Sequence, residues 1–442
     1  QALHRNTTAS NNTAVGRNAM EANTTGTTNV AVGANSLDAN TTGASNVAVG
    51  YSALTDSVLG GLSTAVGTYA LQKQNPATAT NMYNSAFGYN AGNKITTGIK
   101  NTILGSLAGD AITTGNTNVA LGYAALSANT TASNNTAVGT SALAANTTGA
   151  SNTAVGVNAL GQTTTGSSNS ALGLNSLLSN TTGTNNVAMG QQALNNNTTA
   201  SNNVAVGFQS LYANTTGAAN VAIGQGSLGT NTTASNNIAV GKNTLGLNTT
   251  GASNVAVGAS ALDANTTASN NVGIGLNAAG GTTTGANNIA IGTNSLLTNT
   301  TGASNVSIGT YTLNANTTAS NNTAVGYATL ITNTTGSENT GLGHNALYGT
   351  TTGTGNTGIG QGALQTNTTG GTNTAVGQGS LALNTTASNN VAVGKNTLAA
   401  NTTGSNNTAL GIQALDGNTT GSENVGIGSN ALGSNTTAND NV

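Results

Sequence analysis

The sequence has few charged or aromatic residues and a single proline, and it lacks cysteine and tryptophan altogether. Charged residues make up 4% of the 442 residues, against about a quarter in an ordinary globular protein. Seven Lys and Arg against nine Asp and Glu leave a net charge of -2, so no positive field exists to hold nucleic acid or an anionic membrane. We therefore expect no nucleic-acid partner. Without cysteine, disulfides and thiolate chemistry are excluded.

Long hydrophobic runs are also missing. No stretch approaches the roughly 20 apolar residues needed to cross a bilayer, so we expect no membrane insertion by this segment. The chain opens with Gln1-Ala2-Leu3, which resembles neither an initiator methionine nor a signal peptide. We expect any export signal to be removed or absent, and the chain to be a segment of something longer. Low hydrophobicity is also typical of disorder, but the regular placement of apolar residues argues against it.

What is present is a repeat. Glycine closes an Ala-Val-Gly-like tripeptide at Gly16, Gly33, Gly50 and Gly67, with a constant 17-residue period. After one longer interval the series continues from Gly88 to Gly428, and there are 25 such glycines. Residues at the same place in successive repeats are called a column below, and each column is named by one member. The whole chain, residues 1–442, reads as a single tandem-repeat domain.

Each repeat contains two short segments that we predict to be extended. In Val47-Ala48-Val49 the alternation places the two valines on one face and Ala48 on the other; the second segment ends in Leu54. Because the Val49 and Leu54 columns are almost invariably large and apolar, we predict that they form the core. The predicted core positions are Val15, Val32, Val49, Leu54, Val138 and Leu143.

Glycine and polar residues favour coils over helices. Glycine after the strand, as at Gly50, and after Asn-Thr-Thr, as at Gly43, suits corners that need positive φ or close backbone approach, while abundant Gly, Asn and Thr disfavour helix. We predict an all-β fold, a parallel β-solenoid of about 25 coils with a 17-residue period. At about 4.8 Å per coil this gives a rod of about 120 Å.

Stacked asparagines are predicted to supplement a thin core. Amides at the same repeat position form ladders between coils, one through Asn40 and its equivalents and one whose predicted members include Asn29, Asn46, Asn152 and Asn254. One Val and one Leu per repeat bury little apolar area against about 1 to 2 kcal/mol of backbone entropy per residue. We therefore expect chains to associate laterally, first as a homotrimer, with end-to-end filaments of single chains as the alternative.

Residues 51–112 depart most from the repeat. They contain a four-residue insertion before Gly88, the single proline and three of the five lysines. A loop leaving a solenoid is a natural place for binding specificity, so Lys73, Pro76 and Tyr83 form a candidate contact loop. The favoured alternative is that these residues form a tolerated insertion or a contact between subunits.

Asn-Thr-Thr recurs throughout, and each copy is formally an N-glycosylation acceptor. The candidate sites are Asn23, Asn40, Asn129, Asn146, Asn180 and Asn401. The alternative is that Asn-Thr-Thr-Gly provides only turn and ladder chemistry, which requires no modifying enzyme.

Units such as NNTAVGTSALAANTTGAS and NNVAMGQQALNNNTTAS resemble the head repeats of trimeric autotransporter adhesins and of related phage tail-fibre proteins. The resemblance covers nearly the whole chain. It implies a left-handed parallel β-roll, usually trimeric, displayed outside the cell or on the virion for adhesion. Heptad stalks, a membrane β-barrel anchor and a C-terminal chaperone domain are not recognisable in this sequence, which leaves the parent assembly open.

Catalysis has little support in the residues. His4 and His344 lie at opposite ends of the chain, and Asp38, Asp263 and Asp416 share a column but are many coils apart. The Gly353-Thr-Gly355-Asn-Thr-Gly358 match to a dinucleotide fingerprint lacks a βαβ context. We predict no enzyme activity, no cofactor and no metal.

Two other functions compete with a structural one. An ice-binding solenoid would use flat threonine arrays, but Thr24 and Thr25 are adjacent and point in different directions. A protein that binds surface glycans would need aromatic platforms, and aromatics make up 2% of the chain. We therefore predict a structural fibre at the cell surface, outside the cell or on a virion, with adhesion supplied by the insertion or by other parts of the assembly.

Overall fold

A computed structural model describes all residues, 1–442. The chain divides into two compact units, residues 1–219 and residues 220–442, and each is described by itself. Both are built only from short strands and turns, as predicted. No helix that could span a membrane is present.

The first unit contains fourteen strands. They are β1 (Thr13–Val15), β2 (Val30–Val32), β3 (Val47–Val49), β4 (Gly60–Gly61), β5 (Thr64–Val66), β6 (Thr80–Asn81), β7 (Ser85–Phe87), β8 (Thr102–Leu104), β9 (Val119–Leu121), β10 (Thr136–Val138), β11 (Thr153–Val155), β12 (Ser170–Leu172), β13 (Val187–Met189) and β14 (Val204–Val206). All but β4 and β6 contribute one strand per coil to a parallel sheet, while β4 and β6 pair with each other.

The second unit contains thirteen strands, one per coil. They are β15 (Val221–Ile223), β16 (Ile238–Val240), β17 (Val255–Val257), β18 (Val272–Ile274), β19 (Ile289–Ile291), β20 (Val306–Ile308), β21 (Thr323–Val325), β22 (Thr340–Leu342), β23 (Thr357–Ile359), β24 (Thr374–Val376), β25 (Val391–Val393), β26 (Thr408–Leu410) and β27 (Val425–Ile427). The predicted all-β parallel solenoid is confirmed.

Identical residues stack in register. In the first unit Ala31 pairs with Ala48, and in the second Ala239 pairs with Ala256, so that each alanine meets its equivalent in the next repeat. Hydrogen bonding between coils continues beyond the strands: the N–H of Leu37 donates to Ala53 O at 2.9 Å, and that of Thr24 to Thr41 O at 3.0 Å. Backbone N–H and C=O groups are therefore paired between coils along most of each repeat. Such pairing is needed because buried backbone groups cannot hydrogen-bond to water.

The glycine at each strand end occupies a corner that other residues resist. All members of the Gly50 column have φ between +122° and +140°, a region open essentially to glycine. A Cβ added to Gly50 would lie 2.6 Å from the carbonyl oxygen of Gly67 in the next coil. Both backbone conformation and close approach therefore require glycine, as the sequence predicted.

The second predicted extended segment is instead a turn. Residues 51–56 form continuous turns, and Leu54 has φ +52°. The Leu54 column repeats this left-handed conformation, as Leu37 (+49°) and Leu143 (+51°) show. A non-glycine residue in this conformation costs about 1 to 2 kcal/mol, and here complete burial of the leucine side chain offsets that cost.

The core contains the alanine face of the strand rather than the valine face. Ala48 is fully buried, whereas Val15 and Val32 are 58% and 37% exposed. Val49 and Val138 are only half-buried. Alternation predicted two faces correctly, but the assignment of Val15, Val32, Val49 and Val138 to the core was wrong. The interior of so short a coil is narrow, so the small side chain faces inward and the branched one faces outward.

Leucine and asparagine fill the rest of the interior. Leu54 and Leu143 are completely buried, and they lie in the same coils as buried asparagines such as Asn46 and Asn146. The core of each unit therefore consists of stacked columns of alanine, leucine and amides.

Candidate functional site

The Asn46 column joins coils through side chain and backbone together. The N–H of Asn46 donates to Asn29 Oδ1 at 2.8 Å, and Asn46 Nδ2 donates to Gly60 O at 2.8 Å. Asn152 and Asn254 repeat this arrangement, with backbone bonds to the preceding asparagine of 2.9 Å in both cases. Each amide therefore ties its own strand start both to the neighbouring coil and to the Gly43 column.

The Asn40 column forms a second ladder, in which amides bond amides. Asn40 Nδ2 donates to Asn23 Oδ1 at 2.8 Å and to Gly43 O at 3.0 Å. The same direction recurs further along, where Asn146 Nδ2 donates to Asn129 Oδ1 at 3.1 Å. An asparagine followed by a residue that cannot donate in this way is left with an unused oxygen.

Threonine interrupts this ladder at Thr163, Thr282 and Thr350. The asparagine before each interruption, Asn146, Asn265 or Asn333, has a buried Oδ1 without a hydrogen-bond partner. A buried polar atom left unpaired costs about 1 to 3 kcal/mol. Each interruption is therefore a local weak point in the stack.

The candidate glycosylation asparagines lie inside these ladders. Asn23, Asn40, Asn129, Asn146, Asn180 and Asn401 are all fully buried. Their Nδ2 atoms donate to neighbouring oxygens; Asn401 Nδ2, for example, lies 3.0 Å from Asn384 Oδ1 and 2.9 Å from Gly404 O. A glycan on Nδ2 would have to break these bonds and leave the core, so the structure contradicts glycosylation of these residues in the folded chain.

In residues 51–112 the Asn40 column contains no asparagine: it holds a serine, a glutamine and then two isoleucines. Ser57, Gln74, Ile95 and Ile112 occupy the Asn40 column there, and all four are buried. Where the amide ladder stops, Asn40 Oδ1, Ser57 Oγ and Gln74 Nε2 are buried without partners. The change from amide to aliphatic filling therefore leaves unpaired polar atoms at its N-terminal boundary.

Two columns exchange their large and small residues in the same region. Gly92 and Gly109 replace leucine, and Ile103 replaces alanine. A Cβ on Gly109 would lie 2.9 Å from Ile103 Cδ1, which shows that the isoleucine fills the space a leucine occupies elsewhere. Isoleucine side chains therefore occupy interior space that the glycines leave open.

The candidate contact loop separates into exposed and buried members. Lys73 and Tyr83 are exposed, while Pro76 is buried. Lys73 Nζ lies 2.9 Å from Asp56 Oδ2 in an exposed ion pair. The inserted residues around Pro76 lie between Gly60–Gly61 and Thr80–Asn81, which pair as β4 and β6. The insertion is therefore closed by its own small ladder.

The outward faces of the strands carry an aliphatic column. Every residue in the Val49 column is Val, Ile, Leu, Met or Phe. Leu172 and Met189 are 50% and 42% exposed, and both line an apolar notch of about 270 Å³ on the first unit. In-register exposure of large apolar groups in coil after coil is unusual for a surface that meets only water.

The two adjacent threonines of the Asn-Thr-Thr segment have different environments. Thr24 Oγ1 donates to Thr41 O at 3.1 Å, so the Thr24 column is used within the stack, while Thr25 is exposed. The two neighbouring threonines do point in different directions, as expected. Each coil that carries the pair therefore presents one of its threonines to solvent, without a Thr-x-Thr array.

Sequence inspection missed a carboxylate pair. Glu21 and Asp38 are one repeat apart and lie in adjacent coils with Arg5 close by. Burial raises the pKa of Asp38, Glu21 raises it further, and Arg5 opposes the rise. The repeat period could have revealed this pair, because charges one period apart must stack.

Several of the few aromatic residues contact one another because they lie about one repeat apart, in adjacent coils. Tyr51, Tyr69 and Tyr89 contact edge to face, with ring centroids 5.4 and 6.3 Å apart. In the second unit Tyr327 stacks on His344 at 5.4 Å and 12°. Their low frequency in the sequence gave no sign of these clusters, which exist only because residues about one repeat apart are neighbours.

No protein-family model matches the chain, and no curated protein shows significant similarity to it.

Proposed function

We propose that this chain is a structural fibre protein whose stacked coils form a stiff rod outside the cell, on the cell surface or on a virion, and that three copies associate along their aliphatic columns. The resemblance of its repeats to those of trimeric autotransporter adhesins and phage tail fibres supports this assignment. The function is mechanical rather than enzymatic: the repeat supplies length and stiffness, and adhesion is carried by local departures from it.

The observation that carries the proposal is the outward Val49 column. A monomer would gain more by placing polar residues there, as the neighbouring Val47 column does in many coils with Thr or Ser. Burying apolar area contributes about 25 cal/mol per Å², and low net charge opposes lateral association weakly. Contact between copies along this column adds the apolar burial that the narrow interior lacks.

Electron cryo-microscopy of the native assembly tests the proposal directly by counting chains in cross-section. Three chains side by side, with their Val49 columns in contact, are expected. Single solenoids joined end to end would refute the trimer and support a filament, whereas compact particles without a rod would refute the structural function itself.

A paired substitution tests which surface associates. Replacing Leu172 and Met189 by lysine should dissociate the assembly in analytical ultracentrifugation, because charges would then lie in an apolar interface. The matched control replaces the exposed Thr165 and Thr182 by lysine and should leave the assembly intact. Equal association of both variants would show that the Val49 column is not the interface.

A further inference from the structure

A polar groove of about 240 Å³ lies on the second unit, beside the glycine corners of successive coils. Its polar lining is His344, Asn345, Gln361, Gln365, Gln378 and Asn396. Amide side chains both donate and accept hydrogen bonds, and no carboxylate lines the groove. The surface is therefore polar with almost no charge.

Two glycines create the depression. Gly362 and Gly379 occupy a column in which Asn345 precedes them and Asn396 follows. Both glycines have φ +64°, close to the left-handed value that Asn345 adopts at +57°, so the missing side chains change the surface and not the backbone. A Cβ on Gly379 would lie 2.6 Å from Asn396 Oδ1. A side chain at Gly379 would therefore enter the groove and displace the Asn396 amide that lines it.

The amides of the groove have hydrogen-bonding capacity to spare. Asn345 Oδ1 is buried without a partner. Gln361 and Gln378 touch each other only at the limit of a hydrogen bond, 3.5 Å between Gln378 Nε2 and Gln361 Oε1. Both glutamines are exposed. The exposed amides of Gln361 and Gln378 therefore offer donors and acceptors to a ligand, whereas Asn345 Oδ1 is enclosed beneath the surface.

Aromatic rings extend the groove along the coil axis. Tyr327 and His344 stack nearly parallel, 12° apart, and Tyr311 meets Tyr327 edge to face at 6.3 Å. Tyr327 is 51% exposed and Tyr311 39%. On the other side of the column, Tyr348 precedes Gln365 by one coil and is 40% exposed. The exposed faces of these tyrosine rings therefore lie next to the asparagine and glutamine side chains of the groove.

We propose that this groove binds a neutral oligosaccharide. Aromatic faces stack on the C–H faces of pyranose rings, amides bond vicinal hydroxyls, and the near absence of charge suits a neutral ligand. Coils repeat at about 4.8 Å, roughly the length of one sugar residue, so a linear glycan running along the coils meets glutamine at the same position in two successive coils, Gln361 and Gln378. This inference deepens the adhesive role proposed above and rests on it.

Isothermal titration calorimetry with four probes tests the proposal: malto-, cello-, chito- and xylo-oligosaccharides, each added to the full chain. At least one series is expected to bind. Tyr327→Ala and Gln361→Ala should each weaken that binding by about tenfold, equivalent to about 1.4 kcal/mol. Gln225→Ala is the matched control, because Gly224-Gln225-Gly226 repeats Gly360-Gln361-Gly362 outside the groove, and it should bind like the parent chain.

Failure of all four series to bind overturns the proposal, as does binding that Tyr327→Ala and Gln361→Ala leave unchanged. Equal weakening by Gln225→Ala would also overturn it, since the effect would then not belong to this groove. Gly379→Ala provides a second check, because its Cβ would displace the Asn396 amide that lines the groove and should weaken binding. The rod is measured separately by microscopy, so the groove and the rod can fail independently.

Discussion

Two stretches of the first unit share the same backbone conformation but have different interior side chains. From residue 118 to residue 214 the Asn40 column is mostly amide, and alanine and leucine face each other across the strand and turn. From residue 51 to residue 112 the amides give way to Ile95 and Ile112, and large and small apolar residues exchange columns at Ile103 and Gly109. The glycine corners and strand register continue through both stretches. Corner geometry and strand register are thus conserved, while the polarity of the interior side chains is not.

Corner glycines should be equally indispensable in both stretches. Gly105→Ala and Gly156→Ala place a Cβ 2.4 and 2.5 Å from the carbonyl oxygen of the next corner, at φ +140° and +134°. Strain and overpacking together should destabilise each variant by about 4 kcal/mol, measured by guanidinium unfolding. Ala at the exposed Thr165 is the control. A loss confined to one stretch would show that the two backbones are not equivalent.

The exchange of columns should appear as energetic coupling. Ile103→Ala should cost about 3 kcal/mol by opening a cavity. Gly109→Leu alone should be destabilising because its Cβ would lie 2.9 Å from both Ile103 Cδ1 and Ile112 Cδ1.

Together, the two substitutions restore the alanine–leucine pair of the regular coils and remove the contact with Ile103, while Ile112 still stands in place of the asparagine. We expect the double variant to be more stable than the sum of the single effects, by about 1 to 3 kcal/mol in a double-mutant cycle. Strict additivity would refute the view that the two columns share one space.

Repairing an interrupted amide ladder should stabilise the regular stretch. Thr163→Asn supplies an Nδ2 that can donate to the unpaired Asn146 Oδ1, with an expected gain of about 1 kcal/mol. Hydrogen exchange of the surrounding amides should slow. Thr165→Asn, on the exposed side of the same turn, should leave exchange unchanged, and an equal effect of the two variants would exclude ladder repair as the cause.

Half-buried aspartates should make stability fall as the pH rises through their raised pKa values. Burial raises the pKa of Asp263 and of Asp110 above the ordinary value of 3.8, but a backbone hydrogen bond and Lys94 partly oppose the rise at Asp110. These two aspartates therefore bind protons more tightly in the folded than in the unfolded chain. Their contribution to stability is fully present below pH 3.8 and is lost as the pH rises through the raised pKa values.

Asp263→Asn should accordingly be more stable than the parent chain above the raised pKa, with the difference vanishing below pH 3.8. The gain from Asp110→Asn should be smaller. Thermal unfolding at a series of pH values measures both, and a gain that persists in acid would indicate a cause other than titration.

The smallest effect is expected at the insertion. Lys73 and Asp56 form an exposed pair at 2.9 Å, so Lys73→Ala should change stability by about 0.5 kcal/mol or less, and less still in high salt. Lys242→Ala, which removes an exposed lysine without an ion pair, is the control. A loss above about 1 kcal/mol would mean that the pair fastens the insertion to the stack.

Much of the coil structure could be predicted from the sequence, because a regular period stacks the same residue type in successive coils. The constant repeat length puts Asn29 beside Asn46 once the chain forms a solenoid, and glycine at Gly50 marks a corner for reasons of local sterics. Parallel register, strand position and amide stacking all follow from that period. The same rule would have identified the stacked charges of Glu21 and Asp38.

Tertiary structure alone decided which side of the strand faces inward. Alternation in Val47-Ala48-Val49 is symmetrical, and only the narrow width of the coil selects Ala48 for the interior. The left-handed leucines are likewise stable only because burial offsets their local strain. The groove beside His344 depends on side chains one coil apart meeting on a surface. Local sequence determines the backbone conformations and the repeat period. The narrow interior of the stacked coils determines which side chains are buried together and which are left exposed on the surface.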